Sequence, residues 1–271
     1  MASETTRDTY THGHQEAVLR SHRWRTAENS AAYFLARLRP GLDLLDVGCG
    51  PGSLTIDLAR RLDPGRVVGV DVSDQVISEA SATAVAAAVP NVSFVAGDFR
   101  TTGLDQKSFD VVHAHQVLQH LRDPVEALDA MRRLARPKGI VVARDSDYSA
   151  MSWAPSSVSL DRWRDIYLSV TRRNGAEADA GRWLLRWAHR AGFGEVLYTT
   201  STWTFATPAD RRWWADLWAE RTVRSSFAQQ AIDYGIATGD ELADIAAGWR
   251  RWAAEPDAVF IIPHGEVVAE A

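Results

Sequence analysis

The run Leu44-Leu45-Asp46-Val47-Gly48-Cys49-Gly50-Pro51-Gly52 constrains this chain more than any other stretch. An apolar segment ends in an acid and then meets glycine at alternate positions. Glycine adopts left-handed backbone without strain and lets a ligand approach the main chain. A loop of this kind belongs at the carboxyl end of a strand in an open α/β sheet, where such sheets bind ligands. The spacing also excludes a class. A dinucleotide fingerprint reads G-x-G-x-x-G, but position 53 is Ser53, so a dehydrogenase reading fails. Asp46 would repel a pyrophosphate placed on the next helix N-terminus. It suits a cationic or amine-bearing ligand.

The surrounding pattern supports a parallel sheet. Short, valine-rich runs at 43–47, 67–71, 92–96, 109–114 and 139–144 are apolar on both faces, as buried parallel strands are. Helical stretches fall at 53–62, at 74–88 behind Ser73 as N-cap, and at 124–136. The last begins with Asp123 as N-cap, Pro124 at N1 and Glu126 at N3, and is expected to stop at Pro137-Lys138-Gly139. After Asp145 the alternation loosens. Helices are expected at 156–173 and 181–191, a strand at 193–205, two or three helices within 208–254, and a closing strand at 257–268. The first 40 residues should add helices near 15–25 and 28–38.

With these motifs in place, D-x-G-x-G-x-G resembles motif I of the class I S-adenosylmethionine-dependent methyltransferases, and the later motifs follow in order. The subgroup most similar is that of the ubiquinone and menaquinone biosynthesis enzymes. The resemblance implies a Rossmann-like seven-stranded sheet of order 3-2-1-4-5-7-6, with the last strand antiparallel, flanked by helices and covered by a helical lid. It implies one domain over 1–271. Residues 40–147 would form the cofactor-binding core and 1–39 an N-terminal helical cap. Residues 148–180 and 207–255 would be lid insertions, and 181–206 and 256–271 would supply the final strands.

The same resemblance implies the cofactor contacts. Gly48, Cys49, Gly50 and Gly52 form the loop. Asp71 accepts the ribose hydroxyls, with Val72 beside it. Asp98 accepts the adenine amino group, and Phe99 covers the ring. His115 meets the methionine end through its backbone, and Tyr10 packs against the sulfonium. S-adenosyl-L-homocysteine would be the product. Cys49 reads as a small residue in a tight loop.

Methyl transfer needs alignment, exclusion of water and, for a protic acceptor, a base. His115, His120, His12, His14 and Asp145 are open candidates for that base, with His120 and Asp145 foremost. In sugar O-methyltransferases of the subgroup a histidine pair occupies the loop after the fourth strand. Here it reads Gln119-His120. Gln119 can orient an acceptor but cannot take a proton.

Tryptophan points to the acceptor. Of 11 tryptophans, all but Trp24 lie at or after Trp153. They serve as core, as the wall of an aromatic acceptor pocket, or as a lid–lid homodimer interface. The expected acceptor is a small, largely apolar or aromatic metabolite, methylated on O, N or C.

A net charge of −5 argues against nucleic acid as partner. So does the absence of an Asn-Pro-Pro-Tyr-like motif where His113-Ala114-His115-Gln116-Val117 stands. An RNA or protein methyltransferase is the second reading, and a non-methylating enzyme or scaffold of this fold the third. No compact set of metal ligands is visible. The lone Cys49, the polar start and the lack of a long apolar run are read as a cytoplasmic protein without membrane contact.

Overall fold

The computed structural model describes residues 8–13 and 16–271; His14 lies outside them. Its parallel strands are β1 (Leu44–Val47), β2 (Val67–Asp71), β3 (Val92–Ala96), β4 (Phe109–His115) and β5 (Ala135–Ser146). Two strands extend the sheet, β7 (Val196–Phe205) and β8 (Val259–Glu270); β8 is inserted between β5 and β7 and runs antiparallel to both. The order from edge to edge is thus 3-2-1-4-5-8-7, the expected order with one strand added to the numbering.

The added strand is β6 (Ser152–Ala154), which pairs with the start of β8. Three residues carry too little alternation to be legible as a strand. Trp153 anchors it by stacking on Phe260 at 5.5 Å. β5 is also longer than the apolar run 139–144. Helix α6 (Pro124–Leu134) ends before Pro137, because Ala135 already pairs with Phe109 in extended conformation. The register then shifts before Val111 meets Ile140.

Helix starts follow local chemistry. In α5 (Asp74–Ala86) the Ser73 hydroxyl accepts from Val76 N–H. In α6 the Asp123 carboxylate accepts from Glu126 N–H, ahead of Pro124. Helix α4 (Ser53–Leu62) instead starts from Gly52 in left-handed conformation. At the N-terminus lie α1 (Glu16–Arg23), α2 (Ala27–Ser30) and α3 (Ala32–Leu35). The single helix expected over 28–38 is broken at Ala31, whose φ of −130° is not helical.

Helices α7 (Val158–Asn174), α9 (Pro208–Arg224), α10 (Ser226–Asp233) and α11 (Gly239–Ala254) pack around Trp163, Trp218 and Trp249, which are fully buried. Trp218 stands edge-on to Trp163 at 4.5 Å, and Phe260 of β8 joins the cluster. Helix α8 (Ala180–Arg190) lies against the sheet instead, burying Leu184 and Trp187 with β4 and β5 residues.

Candidate active site

The site lies at the carboxyl ends of β1, β2 and β4. After β1 the chain turns through Gly48, Gly50 and Gly52, with φ of 66°, 56° and 81°. A Cβ at Gly48 would sit 2.4 Å from Val117 Cγ2, so the loop and the residues after β4 are in direct contact. A Cβ at Gly50 would come within 3.3 Å of His22 Nδ1, which places α1 against the same loop. Asp71 ends β2. Its Oδ2 accepts from Gly50 N–H at 3.1 Å and its Oδ1 from Ser73 N–H at 3.1 Å. The loop and the β2 carboxylate are therefore one unit, and Val72 beside it is exposed.

Asp46 does not meet a ligand here. Its Oδ2 accepts from Thr55 Oγ1 at 2.5 Å and its Oδ1 bonds His113 Nδ1 at 2.7 Å, with the side chain buried. The acid ties β1 to α4 and β4 through these internal bonds. Cys49 is buried, and burial followed by the Asp46 and Asp71 charges pushes its thiol well up. That state is unreactive.

Asp98 and Phe99 differ from expectation in their surroundings. Burial raises the Asp98 carboxyl, but bonds from Arg100 outweigh this and hold it below its usual value. Arg100 Nη2 lies 2.6 Å from Asp98 and also reaches Asp8. The Phe99 ring is buried in the core between sheet and helices, with the Arg100 guanidinium 5.9 Å above it.

Tyr10 and the pair Gln119-His120 come together although they lie more than 100 positions apart in the chain. They line a cavity with about 30 Å³ of free space, shared with His12, His22, Arg25, Gln116, Ser146, Tyr148 and Arg221. Its apolar wall comprises Trp24, Met151, Trp203, Trp214, Trp218 and Ile262. Tyr10 stands edge-on to His120 at 4.8 Å, and His12 lies 5.4 Å from His120. Tyr10 is thus placed at the cavity rather than over the glycine loop alone.

The short 3₁₀ turn 118–120 is set by Asp145. One of its oxygens accepts from Gln119 N–H at 3.1 Å. Asp145 is fully buried and does not line the cavity; it stands one layer behind Gln119. Burial pushes its carboxyl up to about 7. Gln119 has its amide fixed in turn. Its Oε1 accepts from Ser146 N–H, so its Nε2 donates to His120 Nε2 at 3.1 Å. His120 consequently carries its proton on Nδ1. Burial, then the Arg25 charge, lowers His120 to about 3, so it is neutral at ordinary pH.

His12 Nε2 lies 2.9 Å from Tyr167 Oη, and its Nδ1 is buried without a partner. Burial and nearby arginines push His12 well below the usual histidine range. His115 is buried under the cavity floor, 5.7 Å from Trp203. Arg144 and Glu266 form a buried pair at 3.1 Å beneath it.

Several cavity residues escaped sequence reading. Arg25 and His22 lie far from the sheet motifs in sequence, and Arg221 sits in a tryptophan-rich helix where a solvated arginine is the ordinary expectation. Gln116 carried a signal: it follows β4 directly and adopts a φ of 55°, uncommon for a residue with a side chain.

Comparison with known proteins agrees with this geometry. A methyltransferase-domain family model matches residues 38–175. An uncharacterised methyltransferase of Schizosaccharomyces pombe is 30% identical over 280 residues, covering 99% of this chain and 98% of that one. Demethylmenaquinone methyltransferase of Lactococcus lactis is 31% identical over 112 residues, 41% of this chain and 44% of that one. In fold, the chain is similar to phosphoethanolamine N-methyltransferase 2 of Haemonchus contortus, with a TM-score of 0.55 at 18% identity, covering 88% of this chain and 51% of that one. The chain belongs to the class I S-adenosylmethionine-dependent methyltransferases. It is an enzyme of that class, similar over its core to the menaquinone branch.

Among the described residues no helix is long and apolar enough to cross a membrane, and no group of three or more His, Cys, Asp or Glu is arranged to hold a metal.

Proposed function

We propose that this enzyme methylates a small, largely apolar or aromatic metabolite in the cavity between the N-terminal segment, the turn after β4 and the tryptophan-bearing helices. The observation that carries this reading is the wall itself. Four tryptophans, Met151 and Ile262 form an aromatic face that meets a larger set of polar side chains, and aromatic walls with convergent polar groups are the make-up of a small-molecule site. The cavity adjoins the glycine loop through His22.

The residues fit an S-adenosylmethionine donor at the loop. Left-handed glycines leave the main chain bare there, and the Asp71 carboxylate stands at the end of the neighbouring strand. Gly48, Cys49, Gly50, Gly52, Asp71 and Val72 would hold it, with His115 contributing backbone below. Asp98 would reach an adenine amino group with its Arg100 bonds in place, and Phe99 would lie beside it. When bound, the donor supplies an electrophilic methyl group on a cationic sulfur.

The chain's own groups do the rest. His120, with its lone pair taken by Gln119, presents Nδ1–H and orients an acceptor oxygen or nitrogen. Asp145 positions that turn from behind. His12 is the better placed to take a proton: when its Nε2 donates to Tyr167 Oη, its Nδ1 lone pair is free, and burial keeps the ring neutral. The aromatic wall excludes water. Tyr10 and His12 line the cavity from the N-terminal segment.

The test is a screen with methyl-labelled S-adenosylmethionine against phenols, indoles, amines and quinols. Label transfer to a small aromatic compound, reduced at least tenfold in Trp218→Ala, supports the reading. Transfer only to RNA or protein overturns it.

A further inference from the structure

One guanidinium in this cavity lacks the counter-charge that the fold supplies elsewhere. Arg144 is buried and paired with Glu266 at 3.1 Å. Arg25 stands in the cavity wall and makes one side-chain bond, from Nη2 to Gln116 Oε1 at 2.5 Å. Its Nε is buried without a partner, and it forms no ion pair with any carboxylate of the described residues. No Asp or Glu among the described residues lines the cavity, whereas Arg221 lines it as a second cation. Asp145, a carboxyl that feels the Arg25 charge, is pushed by burial to about 7, so it is only partly charged near neutrality. Leaving a guanidinium in an apolar wall costs several kcal/mol unless an anion meets it.

On the reading that this cavity takes a small aromatic acceptor, we infer that Arg25 receives an anionic group on that acceptor, a carboxylate or an ionised phenol or enol. The planar fork of arginine matches a carboxylate with two parallel hydrogen bonds. Gln116 holds one side of the fork. The Gln116 amide itself is fixed by Ser146 Oγ and His264, to which its Nε2 lies at 2.8 and 3.0 Å. Gln116 thus fixes one side of the guanidinium and leaves its Nε without a protein partner.

The alternative source of a carboxylate is the methionine end of the cofactor. Geometry favours the acceptor. Arg25 lines the cavity together with Tyr10, His12, His120 and Tyr148. The Arg25 charge is felt by Tyr10, His12, His120 and Tyr148 of the cavity wall, and also by His22, His115 and His264.

The experiment is calorimetry on the full chain saturated with S-adenosylhomocysteine. Benzoate, 4-hydroxybenzoate and indole-3-acetate are compared with their carboxamides, in wild type, Arg25→Met and Arg25→Lys. The expected result is roughly tenfold tighter binding of the acids by wild type, abolished in Arg25→Met, with affinity for S-adenosylhomocysteine held within about threefold. Equal binding of acids and amides by wild type, or an acid preference that survives Arg25→Met, overturns the inference. A loss of S-adenosylhomocysteine affinity in Arg25→Met assigns the arginine to the cofactor and also overturns it. If Arg25→Met fails to fold, Arg25→Lys decides: a reduced acid preference supports the inference and an unchanged one overturns it. Wild type that binds neither acids nor amides refutes the aromatic-acceptor reading itself, a distinct failure.

Discussion

Asp46→Ala separates an internal role for this acid from a ligand-binding one. In the structure the carboxylate accepts from Thr55 Oγ1 at 2.5 Å and bonds His113 Nδ1 at 2.7 Å, and all three groups are buried. His113 Nε2 already lacks a partner. Removing the carboxylate strands a hydroxyl and an imidazole N–H together. Each hydrogen bond to a charged group contributes about 1.5–3 kcal/mol, so the loss is about 3–5 kcal/mol. At roughly 2–4 °C per kcal/mol for a chain of this size, Tm should fall by about 10 °C. Asp46→Asn keeps one acceptor and should lose about half of that. The assay is thermal and urea unfolding, beside calorimetry with S-adenosylhomocysteine. A Tm within 2 °C of wild type, joined to a thirtyfold loss of affinity, would refute the internal assignment and restore Asp46 as a ligand contact.

Three further outcomes follow from the same geometry. Stability should fall steeply as pH drops below about 6.5. His12, His22, His115 and His264 are held well below the histidine range by burial, and His120 at about 3, so the unfolded chain takes up protons there that the native state refuses. Asp145 opposes this: its raised value of about 7 makes stability decline between about pH 4 and 7 as pH rises, so Asp145→Asn should steepen the acid loss, read as urea midpoints at pH 7.5 and 5.5. Gly48→Ala should abolish S-adenosylhomocysteine binding, because its φ of 66° and a Cβ at 2.4 Å from Val117 Cγ2 both resist a side chain; wild-type affinity would contradict that. Trp163→Ala, in the fully buried tryptophan cluster, should lose about 3–5 kcal/mol in chemical denaturation.

The cofactor half was legible because its signals are local. Valine runs, the glycine spacing and the caps at Ser73 and Asp123 each act within a few residues, and β2, β3 and α4 fall where they were expected. The acceptor half was not, because it is built from distant pieces. His12, Arg25, His120 and Trp218 meet only after α1 packs on α9, and no sequence period records that. The same limit explains Asp46: its partner His113 is 67 positions away. Tryptophan content signalled an aromatic wall but not which rings form it. Trp163 and Trp249 became core, while Trp24, from the first 40 residues, joined the cavity.

The central claim is that the loop after β1 and the carboxylate ending β2 hold the donor together. Titration of S-adenosylhomocysteine into wild type, Asp71→Ala and Asp71→Asn tests it most directly. The account predicts micromolar binding by wild type and a loss of at least thirtyfold in both variants, with Tm nearly unchanged in Asp71→Asn. Equal affinity in all three proteins would contradict it.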